Sequence, residues 1–574
     1  VNDLLKTEIL NRAATGQLMV WLTSSEITAE QREHAISCMA QLHGARELNV
    51  LSIIHRPSET EEWRLDYASW SQIYRNLLPL LNDNAGAIID ALVKLGTGIW
   101  EYTFIEAFHD WCSLDETRCC EVLELEADLS VPETFLTSAL IVSLQNNPTM
   151  HLPLAIDFAQ GVRRSRTPGF RAMAMMSVDD NDAIQTALAT LAEIAGDEGV
   201  LISARAEAFR AALELARRCA GRLNLQVSCI IEKAIESRRT ELLIECCNIL
   251  ARSKILGEMT PSLLKAVQII NLGEPQAVTA VDTAIYMLLQ RPCKEQALEC
   301  LDALIGNNAN EFPKADLSSS LRYLAGSNDQ HLLPEVICRW LGSGDGALCS
   351  AARRLINYAP DRKLVFNFSP QNGAWSDART LYLARKAIGW LMPHETAPAS
   401  FVVCLLAEAG DAAREKLADL LFDPLLVNYP IATRSYLDST LPNLPPGART
   451  VLEATLIKHD LYLRALEDVG FVPELQPSDR DKAVDSQRQA DLLAEASENA
   501  EGSSSSLMSL FHRQTLLYGK RAVSYAPSVD GSSRRMDSRL ASISVSTANP
   551  MGWTYDPFGL DYSLRVFRAE KAPQ

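Results

Sequence analysis

The sequence predicts a mainly α-helical protein, a stack of helix pairs that ends in a small C-terminal β-rich tail. Three observations carry this. Apolar residues recur at helical spacing through most of the chain, brief turns separate the helical stretches, and the last residues switch to strict alternation. Composition agrees: aromatics make up only 7% while Ala and Leu abound, which favours helix over sheet. A chain of 574 residues exceeds one ordinary core and calls for several domains or one extended array.

The first region, residues 1–179, is helical and carries Trp21, Trp63, Trp70, Trp100 and Trp111. Helix starts are written as capping boxes, with Thr28 three residues before Gln31, Ser113 before Glu116 and Ser130 before Glu133. The opening stretch has acids where a secretory signal needs basic residues, and no segment supplies about 18 uninterrupted apolar residues for a membrane span. The expected compartment is the cytoplasm, with no membrane partner. The 13 cysteines fit it, being odd in number and without a Cys-x-x-Cys pair, as expected of buried free thiols.

Residues 180–475 hold one short amphipathic helix after another. "SARAEAFRAALELARRCAG" sets Ala204, Ala208, Ala212 and Ala216 on one face, beside Phe209 and Leu213. "RRTELLIECCNILARS" buries Leu242, Leu243, Cys246, Ile249 and Leu250. Gly196, Gly306, Gly326 and Gly410 close helical runs, where a left-handed C-cap is expected, and Thr260–Pro261 is an N-cap followed by proline at the first helical position. Short helices, brief connections and small residues on facing sides resemble the HEAT- or armadillo-type α-solenoids over about half the chain. That resemblance implies an extended groove suited to another macromolecule. One interruption, "RKLVFNFSPQNGAW", alternates Leu364, Phe366 and Phe368 and is either a short strand or an ordered loop.

Residues 476–506 are acidic, serine-rich and poor in large apolar side chains, the composition of a linker. The tail, residues 507–574, holds nine Lys or Arg against five Asp or Glu, within a chain of net charge −18. Asp556-Pro557-Phe558-Gly559 has the residues of a type I turn, and Leu560, Tyr562, Leu564 and Val566 then alternate with Asp561, Ser563, Arg565 and Phe567. Paired with "TLLYGKRAVSYA" and "LASISVS", this stretch predicts a three-stranded meander. So small a sheet must dock, either on the acidic helical body or on a partner.

No catalytic signature is present: no phosphate loop, no nucleophile elbow and no His-Glu-x-x-His. "GSGDGALCSAARRL" follows a helix instead of a strand and lacks lysine, so it is expected to be an inter-helix turn. His109, Cys112, Cys119 and Cys120 are zinc-ligand types, but adjacent Cys119 and Cys120 diverge on a helix and no second half-site follows. Core packing is the expectation there, and no cofactor or metal is assigned.

Two readings of function follow. The first is a noncatalytic scaffold or adaptor that binds protein partners through its helical-repeat surface and its tail, in the setting of a multiprotein assembly such as a bacterial defence or secretion apparatus, though no residue specifies that setting. Its expected contact residues are Trp553, Tyr555, Tyr562, Arg565 and Arg568, since aromatics and arginine dominate interfaces. The alternative is a helical-repeat protein that binds nucleic acid through the arginine cluster of "GVRRSRTPGFRAM", namely Arg163, Arg164, Arg166 and Arg171. An overall acidic surface disfavours nonspecific nucleic-acid binding.

Overall fold

The computed structural model describes residues 3–573 except 25–26, 54–71, 96–100, 129–130, 220–222, 253–258, 327–331, 360–363, 369–374, 471–477, 485, 488–489, 492–512, 518–520, 528–532 and 540–549. Trp63, Trp70, Trp100, Ser130, the Pro-Gln-Asn-Gly turn at 370–373, "LASISVS" and most of the acidic linker lie outside these residues. The chain forms two compact units, Val1–Ile270 and Asn271–Gln574.

The first unit opens with α1 (Asp3–Ala14), α2 (Leu18–Thr23), α3 (Ala29–Gly44) and α4 (Val50–Ile53). Next come α5 (Ala85–Leu95), α6 (Glu101–Ser113) and α7 (Glu116–Glu124). Its regular part runs through α8 (Glu133–Asn146), α9 (Pro148–Gln160), α10 (Thr167–Met175) and α11 (Asn181–Gly196). It continues with α12 (Ile202–Arg218), α13 (Asn224–Ser237), α14 (Thr240–Arg252) and α15 (Thr260–Ile269). Here α8, α10, α12 and α14 touch in succession and make one layer, while α9, α11, α13 and α15 make the other. This pairwise packing is that of a generic helical-repeat fold.

The second unit repeats the scheme. It contains α16 (Pro275–Leu289), α17 (Lys294–Asn307), α18 (Ser318–Gly326), α19 (Leu332–Ser343) and α20 (Gly346–Asn357). After them come α21 (Asp377–Leu391), α22 (Ala397–Glu408), α23 (Asp411–Leu420), α24 (Ala432–Thr440) and α25 (Pro446–Val469). Contacts again skip one helix, as in α19 with α21, α21 with α23 and α23 with α25.

Several local expectations hold at side-chain level. The Thr28 side chain accepts from the Gln31 amide and the Gln31 side chain accepts from the Thr28 amide, a complete capping box. Ala208, Phe209, Ala212, Leu213 and Ala216 are buried on α12, as are Leu242, Leu243, Cys246, Ile249 and Leu250 on α14. Within "GSGDG", Gly344 and Asp345 make the turn between α19 and α20, with Asp345 capping α20 through the Ala347 and Leu348 amides. Leu364–Phe368 is an ordered loop, its Phe366 amide donating to Ser400 Oγ at 2.9 Å on α22.

Other expectations are corrected. Helix α7 is capped by Asp115, since Ser113 still belongs to α6. Thr260 is the first residue of α15, not its cap. Helices do end near Gly196, Gly306 and Gly326, but none of these glycines has a positive φ, and Gly410 caps the start of α23 instead.

The largest correction concerns the tail, which is not a β-rich domain. The stretch expected as its principal strand is helical, forming α26 (Gly552–Tyr555) and α27 (Pro557–Ala569). Asp556 caps α27 by accepting from the Gly559 amide at 2.9 Å, and Pro557 takes the first helical position, which needs no N–H donor. Upstream, the backbone of β1 (Arg513–Leu517), β2 (Arg521–Pro527) and β3 (Ser533–Arg539) runs as one antiparallel ladder in the order β1-β2-β3. That ladder does not include the alternating stretch.

Candidate functional site

Two surfaces, one in each unit, are candidates for function. In the second unit, α27 lies against α21, and small residues and main-chain bonds set its position. A β-carbon on Gly389 would lie 3.1 Å from Phe567 Cβ and 3.2 Å from the Arg568 backbone nitrogen, so any larger residue would require α27 to shift outward slightly. Arg568 donates from Nε to the Gly389 carbonyl at 2.6 Å and lies over the Trp390 ring. Buried Lys386 donates from Nζ to the Arg568 carbonyl. Desolvation pushes the Lys386 ammonium below the usual lysine range, and an unpaired donor there would be costly. Arg385 grips Glu570 with two bonds, Nε to Oε2 at 2.7 Å and Nη2 to Oε1. Upstream, the Gly552 amide donates to Asn428 Oδ1 at 2.7 Å.

Leu560 and Leu564 are the buried apolar face of α27. On another face, Phe558 (62% exposed), Tyr562 (72%) and Val566 (48%) stand in water at i, i+4 and i+8. Arg565 pairs with Asp561 at 2.9 Å beside this stripe. Of the residues expected to meet a partner, Tyr562 and Arg565 are exposed, Trp553 is half-buried, and Arg568 is turned toward α21. The Tyr555 side chain lies outside the described residues. Sequence reasoning missed Phe558 and Val566, although their i, i+4, i+8 spacing with Tyr562 was available.

In the first unit, the arginine cluster separates. Arg163 pairs with Glu126 at 2.9 Å, and Arg164 donates to the carbonyls of Glu126, Asp128 and Val131. Arg166 donates to the Ala159 carbonyl at 3.4 Å and packs on Gly161, whose φ of +80° belongs to the C-cap of α9. These three arginines bind loop and helix-end carbonyls or a local acid. Arg171 goes elsewhere, onto the layer made by α8, α10, α12 and α14.

There it borders a groove of about 410 Å³. Ile141 of α8, Phe170, Ala174 and Met175 of α10, and Ala211 of α12 form its apolar floor. Arg171, Arg210, Arg217 and Arg252 stand around it, with Glu207 and Glu214. Arg210 bonds Glu245 through Nε (2.7 Å) and Nη2 (2.6 Å), and the Asn248 side-chain amide braces the same carboxylate at 3.2 Å. Arg217 bonds Glu214 through its Nε edge at 3.0 Å. The carboxylates raise the pKa of both guanidinium groups, which stay charged. Arg171 and Arg252 are exposed and make no ion pair among the described residues.

The cysteine cluster is arranged for packing. Cys112 and Cys119 are buried, the Cys119 thiol meeting the Cys112 carbonyl at 3.5 Å, whereas Cys120 is exposed. Among the described residues, no group of three or more His, Cys, Asp or Glu side chains is set to hold a metal. No described helix is long and apolar enough to cross a membrane. The sequence matches no protein-family model, and no curated protein is significantly similar to it.

Proposed function

We propose that this chain is a noncatalytic helical-repeat scaffold that binds protein partners as a subunit of a larger assembly, with α27 as one contact surface. The observation that supports this reading is the outer stripe of α27. Phe558, Tyr562 and Val566 remain in water on a helix already anchored to α21 by its other side. Anchoring removes most of the ordering cost that a free helix would meet on binding, and an exposed aromatic with neighbouring arginine matches the residue types that dominate interface energetics.

The test compares proteins co-purified with the full chain and with the full chain carrying Phe558→Ser and Tyr562→Ser. Both side chains are exposed, so the helical circular-dichroism signal and melting temperature are expected to stay unchanged. Loss of specific partners from the double variant is the expected result. Equal recovery of every partner would refute α27 as a contact surface.

A further inference from the structure

We propose that the groove across α8, α10, α12 and α14 is a peptide-binding site, and that its ligand is an acidic segment with bulky apolar residues at its centre. Ile141 and Met175 bring apolar surface to the water over buried Phe170, Ala174 and Ala211, and four arginines stand around them with Glu207 and Glu214, in a protein whose net charge is −18. Arg210 is the best defined rim group. Glu245 occupies its Nε and one Nη2 position and is itself only 5% exposed, while the Arg210 side chain is 51% exposed. The guanidinium is thereby immobilised before any ligand arrives, and its Nη1 donors have no acceptor among the described residues. Arg217, held by Glu214 through the same edge, is in the same condition. Arg171 and Arg252 add charge that no described carboxylate neutralises.

Carboxylates of a ligand would take these donors in charge-assisted bonds, and an apolar side chain between them would cover Met175 and Ile141. Four successive helices at about 8–10 Å spacing span on the order of 25–30 Å, the reach of about eight extended residues. That length favours a peptide over a small anion. Glu207 and Glu214 stand among the arginines, and Phe170 is buried in the floor. A continuous phosphate backbone would meet those acids and find no exposed ring in the groove for base stacking, so nucleic acid fits less well.

The inference rests on reading the chain as a protein-binding one, but not on α27. Its test is fluorescence anisotropy with the full chain. The probes are fluorescein-labelled decapeptides in which two glutamates flank each side of every pairing of Leu, Ile, Phe, Trp and Met. The best binders are expected to weaken at least about tenfold with Arg171→Glu plus Arg252→Glu, and likewise with Met175→Glu. All three positions are partly or fully exposed, and unchanged circular dichroism shows that the fold survives. Replacing the apolar pair with serine, or the glutamates with lysine, is expected to abolish binding, and raising salt from about 50 mM to about 500 mM to weaken it. The Phe558→Ser/Tyr562→Ser chain is expected to bind these peptides normally, so failure of the groove and failure of the α27 surface are told apart. The proposal is overturned if no acid-flanked peptide binds below about 1 mM, or if the groove variants leave affinity unchanged. It is also overturned if decanoate or a single-stranded oligonucleotide binds the groove and the peptides do not.

Discussion

Gly169 decides how closely α10 approaches α9. A β-carbon there would lie 2.4 Å from the Ala155 carbonyl oxygen and 2.6 Å from the Ala159 nitrogen, both backbone atoms that no rotamer change can move. Gly169→Ala is therefore expected to destabilise the first unit by about 2–3 kcal/mol, read as a lower denaturant midpoint at unchanged slope. Phe170 and Arg171 follow directly on α10, so the same variant is expected to weaken peptide binding in the groove. His394, between α21 and α22, offers a second test. Burial, helped by the nearby Arg353 cation, lowers its pKa from 6.5 to about 4. The unfolded chain takes up this proton near pH 6.5 and the folded one only near 4, so stability is full above 6.5 and is lost as the pH falls through that window. The loss is about 3 kcal/mol. Urea midpoints measured across this range are expected to fall with acidification, and less so for His394→Gln.

At the scale of elements, the tail explains which patterns the sequence disclosed and which it concealed. Asp-Pro-Phe-Gly serves a type I turn and a helix start equally well, because both need a side-chain acceptor at the first position and a fixed φ at the second. Alternation was ambiguous for a related reason. Leu560 and Leu564 stand four apart, and so do Phe558, Tyr562 and Val566; two helical stripes offset by two residues read as period two. The Asp561–Arg565 pair at i, i+4 was the signal that favoured helix. Core faces such as Leu242, Leu243, Cys246 and Ile249 were legible because apolar periodicity reports burial directly. The groove was not, since Arg171, Arg210, Arg217 and Arg252 come from three helices and only tertiary packing assembles them. Docking of α27 is testable by hydrogen exchange. Leu564→Ala is expected to weaken it by about 2 kcal/mol, speeding exchange across 557–569 by roughly 30-fold while α21 keeps its protection. Uniform loosening of the unit would contradict that docking.

For the whole molecule, the repeat is carried by bonds more than by a consensus. Side-chain ties between elements recur at nearly constant sequence separations: 35 for Arg210–Glu245, 37 for Tyr429–Met392 and 38 for Trp340–Asp302. The same holds at 40 for Thr167–Glu207, 41 for Tyr382–Leu341, 42 for Arg354–Phe312 and 44 for Arg218–Ala174. Each spans about one helix pair, which is why a period exists in space although the residues that mark it differ from one repeat to the next. Arginines near helix ends belong to this scheme: Arg218 and Arg354 bond carbonyls from the preceding helix pair, not their own. On the function proposed here the exposed faces of such an array serve for contact, and the α27 stripe is the face most directly open to challenge. The decisive measurement is photo-crosslinking in the native cell of the full chain with Tyr562 replaced by benzoylphenylalanine. A discrete crosslinked species containing a second protein, lost when Phe558→Ser is added, is the result expected. Crosslinks confined to the chain itself would contradict the account.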